Sequence, residues 1–138
     1  MYIDTINLTN VRGFDNLEFS LARSDGGYAG WTVFTGDNGS GKSTLLKAVA
    51  IALTGKDTAR ALQPSFHRWV REGQHEAGIE LGIARVEKDD FLTGGGRLPE
   101  EVFRARIALR NGQKEPTVEA ALPTGITRRN YSTPQRTI

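Results

Sequence analysis

The sequence predicts an α/β fold with a mixed sheet and a helix that springs directly from a glycine-rich loop. Three observations predict it. Trp31-Thr32-Val33-Phe34-Thr35 is a run of β-branched and aromatic residues, the composition of a strand. Gly36-Asp37-Asn38-Gly39-Ser40-Gly41-Lys42-Ser43-Thr44 follows at once and fits G-x-x-x-x-G-K-[ST], the phosphate-binding P-loop. Residues 42–53 then repeat apolar side chains at helical spacing, with Leu45, Leu46, Val49, Ala50 and Leu53 on one face. Strand, glycine loop and helix stand in the order the motif needs.

The residue types dictate the chemistry. Successive backbone N–H groups of such a loop turn inward and cradle phosphates. Gly36, Gly39 and Gly41 let the backbone approach an anion without a Cβ in the way. Asn38 and Ser40 complete the cradle, and the helix that follows adds the partial positive charge of its N-terminus. Lys42 is placed to reach the β- and γ-phosphates. The Ser43 hydroxyl is placed to ligate Mg²⁺, and Thr44 offers a further hydroxyl on the α-phosphate side. ATP and Mg²⁺ are the expected cofactors.

Composition sets the outer bounds. A chain of 138 residues suggests one domain with room for a real core. Eighteen basic and 16 acidic residues leave a net charge of +2, which is weak evidence for nucleic-acid binding. With no cysteine, disulfides, thiolate catalysis and cysteine-based zinc sites are excluded. No apolar leader or spanning stretch is apparent, so a cytoplasmic location without a membrane partner is expected.

The remaining elements follow in chain order. Ile6 and Leu8 alternate with Asn7 and Thr9; Leu17, Phe19 and Leu21 alternate with Glu18 and Ser20. These predict a hairpin turning at residues 12–16. Residues 22–30 form a loop, and Thr54-Gly55 ends the P-loop helix, with left-handed φ at Gly55. Pro64-Ser65 opens a short helix that points Phe66, Trp69 and Val70 inward and stops at Gly73. Ile79, Leu81 and Ile83 mark a strand, residues 86–99 a polar loop, and Phe103, Ala105, Ile107 and Leu109 another strand. Asn111-Gly112 begins a turn, and Val118, Ala120 and Leu122 form the returning strand. Residues 123–138 show no periodicity and read as tail or linker.

Two stretches carry a family resemblance. Ile6-Asn7-Leu8-Thr9-Asn10-Val11-Arg12-Gly13-Phe14 is a strand with a turn like "NFRSF", and Thr35 to Ser43 matches "GxNGSGKST". Together they resemble the N-terminal lobe of the RecF/SMC-type ABC ATPases, a group that includes repair ATPases, OLD-family nucleases and phage-defence ATPases. The resemblance implies an ABC-type antiparallel subsheet beside the P-loop helix, and it places Arg12 beside the bound phosphates. From the residues alone, a solvated turn cation is an equal reading of Arg12. The organisation expected is one N-terminal lobe over 1–138: hairpin, strand, P-loop and helix in 1–55, a short helix and antiparallel strands in 56–122, and a tail in 123–138.

Parts of such an ATPase are missing from the sequence. No apolar strand ends in Asp-Glu, the pair that holds the Mg²⁺ shell and activates water. Asp89-Asp90 and Glu100-Glu101 lack the preceding buried strand. Leu92-Thr93-Gly94-Gly95-Gly96-Arg97 resembles the signature loop by letters but lies too near the P-loop. His67 and His75 come too early for a switch histidine, and Gln135 reads better as an ordinary loop residue than as a Mg²⁺ contact. No catalytic residue is therefore assigned within these 138 residues.

The expected function is Mg²⁺-ATP binding, with hydrolysis once a second lobe and a dimer partner complete the site. Implied by the resemblance are an ATP-dependent homodimer or higher oligomer, a nuclease partner, and DNA engaged by the whole assembly in repair or phage defence. A non-hydrolysing nucleotide sensor is the alternative. A GTPase is disfavoured because no Asn-Lys-x-Asp motif is present. Arg104, Arg106 and Arg110 share a strand face, and Arg128, Arg129 and Arg136 lie in the tail. These could track a phosphate backbone, but a charged outer face is also the usual solvated side of a half-buried sheet.

Overall fold

A computed structural model describes residues 1–28, 30–84, 102–112 and 116–121. Five strands form one sheet: β1 (Tyr2–Val11), β2 (Phe14–Ser20), β3 (Glu76–Ala84), β4 (Val102–Arg110) and β5 (Thr117–Ala121). Their order is β2-β1-β3-β4-β5, and every neighbouring pair is antiparallel. The helix α1 (Lys42–Leu62) enters between β2 and β3 in the chain.

Period-2 alternation builds the core from the sheet. Leu8 stands opposite Leu17 and Ile79, and Ile79 opposite Ile107, so one apolar row crosses four strands. Ile6 and Leu81 form the next row, and Ala77, Leu109 and Val118 a third. Onto these rows α1 sets Leu45, Ala48, Ile51, Ala52 and Ala59, all buried. Small residues at 48, 52 and 59 let the helix approach the strands closely. Each buried Leu or Ile contributes roughly 1.5–3 kcal/mol through area removed from water.

The sheet's other face is polar. Arg104 reaches Glu80 at 2.7 Å, and Arg110 lies between Glu76 at 2.9 Å and Glu119 at 3.6 Å. Arg106 has no ion pair among the described residues. The arginine row is thus mostly neutralised in place by carboxylates of adjoining strands, as on a solvated face. Gly82 permits close passage of β1, because a Cβ there would strike the Thr5 hydroxyl where β1 shifts register.

Five expectations change. The hairpin turns more tightly, with β2 already starting at Phe14 and Arg12 at φ 49°. Residues 31–35 are not a strand: they pair with no neighbour among the described residues, and Trp31 is 91% exposed. Strand composition does not make a strand without a ladder to join. The helix runs past Gly55 to Leu62, but Gly55 does interrupt it at φ 76°, ψ 171°. Helical residues resume because Ala59 is held in the core. On that helix Leu46 and Leu53 are 56% and 49% exposed and Ala50 is also exposed, so the sheet takes the stripe through Leu45, Ala48 and Ala52.

Residues 64–73 form turns in place of a helix. Their inward set is as expected, since Phe66, Trp69 and Val70 are buried. Hydrogen bonds to the end of β1 take the backbone groups a helix would use. Arg12 N–H donates to Trp69 O, Arg71 N–H donates to Asn10 O, and Val11 bridges Val70. Ser65 still caps locally, accepting from the His67 N–H at 3.2 Å. The polar loop 86–99, Leu122, the tail 123–138, Gln135, the acidic pairs and the rejected signature-like stretch lie outside the described residues.

Candidate nucleotide-binding site

The glycine loop closes on a lysine. A turn at residues 37–40 is pinned by Ser40 N–H donating to Asp37 O at 3.2 Å, with Gly39 at φ 85°. Lys42 then folds back over the loop. Its Nζ donates to Gly36 O at 2.6 Å, to Asp37 O at 2.7 Å and, more weakly, to Ser40 Oγ at 3.3 Å. An ammonium has three donors, and this geometry centres its charge inside the loop.

Gly41 caps α1 at φ 93°, without any side-chain capping bond, and the first turn carries no acidic residue. The first helical bond is Leu45 N–H to Gly41 O at 2.9 Å. The N–H groups of Lys42, Ser43 and Thr44 therefore have no acceptor within the helix. A lysine, three orphan donors and the positive helix end converge on one place, an arrangement suited to an anion. Ser43 is exposed there, whereas Thr44 is buried, so Ser43 is the freer hydroxyl for a cation bound beside that anion. Asn38 is exposed at the loop's tip.

Arg12 lies in the turn of the β1–β2 hairpin. Two residues on, Phe14 packs its ring on Gly41, where an added Cβ would lie 2.5 Å from Phe14 Cζ. The Arg12 guanidinium lies 5.0 Å from the centre of the Trp69 ring and makes no ion pair among the described residues. Asn10 at φ 53° and Arg12 at φ 49° are both left-handed, an arrangement that the bonds from residues 69–71 hold in place. A further clamp runs from the Arg71 guanidinium to Gly13 O at 3.1 Å.

Neither Phe14 nor Trp69 is assigned to the site by the sequence reading. Phe14 sits within the "NFRSF"-like turn and was the discoverable one. Trp69 is 57 residues from Arg12, and no local spacing reveals a contact of that range. His67 and His75 are both exposed, and the described residues hold no cluster of three or more metal-ligating side chains.

The family model of the AAA domain matches residues 5–133. The chain belongs to this AAA domain family. Its fold is that of the N-terminal lobe of a RecF/SMC-type ABC ATPase. It superposes on a solved SMC ATPase, described for ATP-driven dimerization and DNA-stimulated activation, with a TM-score of 0.57 at 16% identity, over 87% of this chain and 69% of that one. The DNA replication and repair protein RecF of Idiomarina loihiensis is 34% identical over 127 residues, 91% of this chain and 32% of RecF. The Septu protein PtuA of Bacillus mycoides is 24% identical over 88 residues, 63% of this chain and 12% of PtuA. The chain thus spans at most about a third of these two curated relatives. No helix among the described residues is long and apolar enough to cross a membrane.

Proposed function

We propose that this AAA domain lobe binds Mg²⁺-ATP at residues 36–44 and hydrolyses it once a second lobe and a dimer partner complete the site. The observation that carries the reading is Lys42, held within 2.7 Å of two loop carbonyls at the mouth of an uncapped helix. Gly36, Asn38, Gly39, Ser40 and Gly41 would wrap the phosphates, and Lys42 would share its donors with the β- and γ-oxygens. Ser43 would hold Mg²⁺, Thr44 would serve the α-phosphate side, and Arg12 would approach from the hairpin turn. Mg²⁺ would neutralise phosphate charge when bound; this chain's residues position the nucleotide.

Water activation belongs to the second lobe in this reading, because no described strand ends in Asp-Glu. Bare side chains flank the P-loop on both sides, with Trp31 and Val33 before it and Leu46 and Leu53 after it, which suits a covering lobe. The action coupled to ATP would be DNA engagement or control of a nuclease partner, in repair or phage defence, in a soluble cytoplasmic assembly. That step leans on the RecF, SMC and PtuA relatives. A sensor that binds ATP without turnover is the second reading; the phosphate donors of the loop and helix end would serve it equally.

Titration with a fluorescent ATP analogue tests the proposal. Saturable, Mg²⁺-strengthened binding is expected, with loss of at least about tenfold in affinity in Lys42→Ala, on the scale of a charge-assisted bond. Unchanged binding by Lys42→Ala defeats it. In the full-length protein, binding without turnover selects the sensor.

A further inference from the structure

We propose that Trp69 is the positioning residue for Arg12, holding its guanidinium toward the phosphates by a cation–π contact. The inference rests on the reading that Arg12 faces the nucleotide. Its own support is separate. Trp69 is fully buried, and the Arg12 guanidinium covers its ring at 5.0 Å. Phe66 braces the indole edge-on, with ring centres 5.4 Å apart. The backbone is tied at the same spot, since Arg12 N–H donates to Trp69 O at 2.8 Å. Side chain and main chain of one residue thus fix side chain and main chain of the other.

The indole N–H argues that the ring face is the purpose. Trp69 Nε1 is buried and has no hydrogen-bond partner among the described residues. A buried donor without a partner costs stability, a cost that a purely apolar ring would not carry. Tryptophan, however, presents the strongest π face to a cation. A guanidinium also stacks flat where an ammonium does not. The contact orders a long side chain before nucleotide arrives, which lowers the entropy lost on binding.

The same contact extends the site. Residues 66–71 hold the hairpin turn through Arg71 to Asn10 O and Gly13 O, and Asn10 in turn donates to Glu76 O, at the start of β3. Arg12 is therefore tied to the central sheet through Trp69 and its neighbours.

A double-mutant cycle on the full chain tests this, with ATP affinity measured for the wild type, Arg12→Ala, Trp69→Phe and the pair. Trp69→Phe is expected to weaken ATP by about threefold or more, and to change nothing further in the Arg12→Ala background. Trp69 is a fully buried core ring, so Trp69→Phe should lower the urea midpoint alike in both backgrounds; the coupling in ATP affinity is the readout that a purely structural tryptophan would not show. Equal losses of ATP affinity in both backgrounds, or no loss in the wild-type background, overturn the inference while leaving the nucleotide site standing. If Arg12→Ala itself binds ATP normally, the phosphate-facing reading of Arg12 fails, and this inference with it. Should Trp69→Phe not fold, Trp69→Tyr repeats the cycle with the same two outcomes.

Discussion

The ring of Phe14 rests on the Cα of Gly41, so the β1–β2 hairpin and the P-loop are in direct contact. A Cβ at position 41 would stand 2.5 Å from Phe14 Cζ and 2.9 Å from Cε2. The same residue holds φ 93°, a left-handed value that costs an L-residue about 1–2 kcal/mol. Gly41 is thus required twice, once by backbone geometry and once by an aromatic neighbour distant in sequence.

Gly41→Ala should therefore lose both stability and nucleotide. The expected destabilisation is about 2–4 kcal/mol, from left-handed strain and overpacking together, with ATP affinity falling at least about tenfold. Adding Phe14→Ala should recover the packing part and leave the strain. Urea unfolding of the four proteins in that cycle should show a coupling of about 1 kcal/mol or more. Strict additivity would mean that the ring and the loop do not meet in solution.

The loop that opens α1 was legible because its motif is local: four specified residue types within eight positions, followed by a helix. The β-strands were legible for a similar reason, since alternation such as Ile79-Glu80-Leu81 reports a face directly. The buried face of α1 was not. Two apolar stripes run along it, one through Leu45, Ala48 and Ala52 and one through Leu46, Ala50 and Leu53. Periodicity cannot say which stripe meets the sheet. Residues 66–70 show the same ambiguity: Phe66, Trp69 and Val70 fit helical spacing, yet Arg68 takes φ 60° and the chain turns toward β1. Long-range pairing decided both cases, as it did for residues 31–35, where strand-like composition found no neighbour among the described residues.

Gly55 carries the next prediction. At φ 76°, ψ 171° it occupies a region that is essentially reserved for glycine. Gly55→Ala must either adopt that strained conformation or straighten α1, and straightening would carry the buried Ala59 out of its place in the core. A loss of about 1–3 kcal/mol is expected by either route. Nucleotide affinity should change little, because Gly55 lies 13 residues along from Lys42, far beyond the first turn. Paired measurements of urea midpoint and ATP binding check it; a stable Gly55→Ala variant would show that the kink is optional.

The bare residues on either side of the P-loop carry the last prediction. Trp31 and Val33 are 91% and 79% exposed, and Leu46 and Leu53 about half exposed. Side chains this open have little packing to lose, so Trp31→Ser with Val33→Thr should leave the unfolding free energy within about 0.5 kcal/mol. Their effect should appear in association instead. Large apolar groups left in water drive contacts between molecules in proportion to the area they can cover. Light scattering of this lobe alone should show less self-association in the double variant than in the wild type, at equal concentration and with ATP affinity retained. A fall in stability would place Trp31 and Val33 inside the lobe's own core. Unchanged stability with reduced association would instead mark them as contact surface, where a strand sequence without a strand partner is expected to find its ladder.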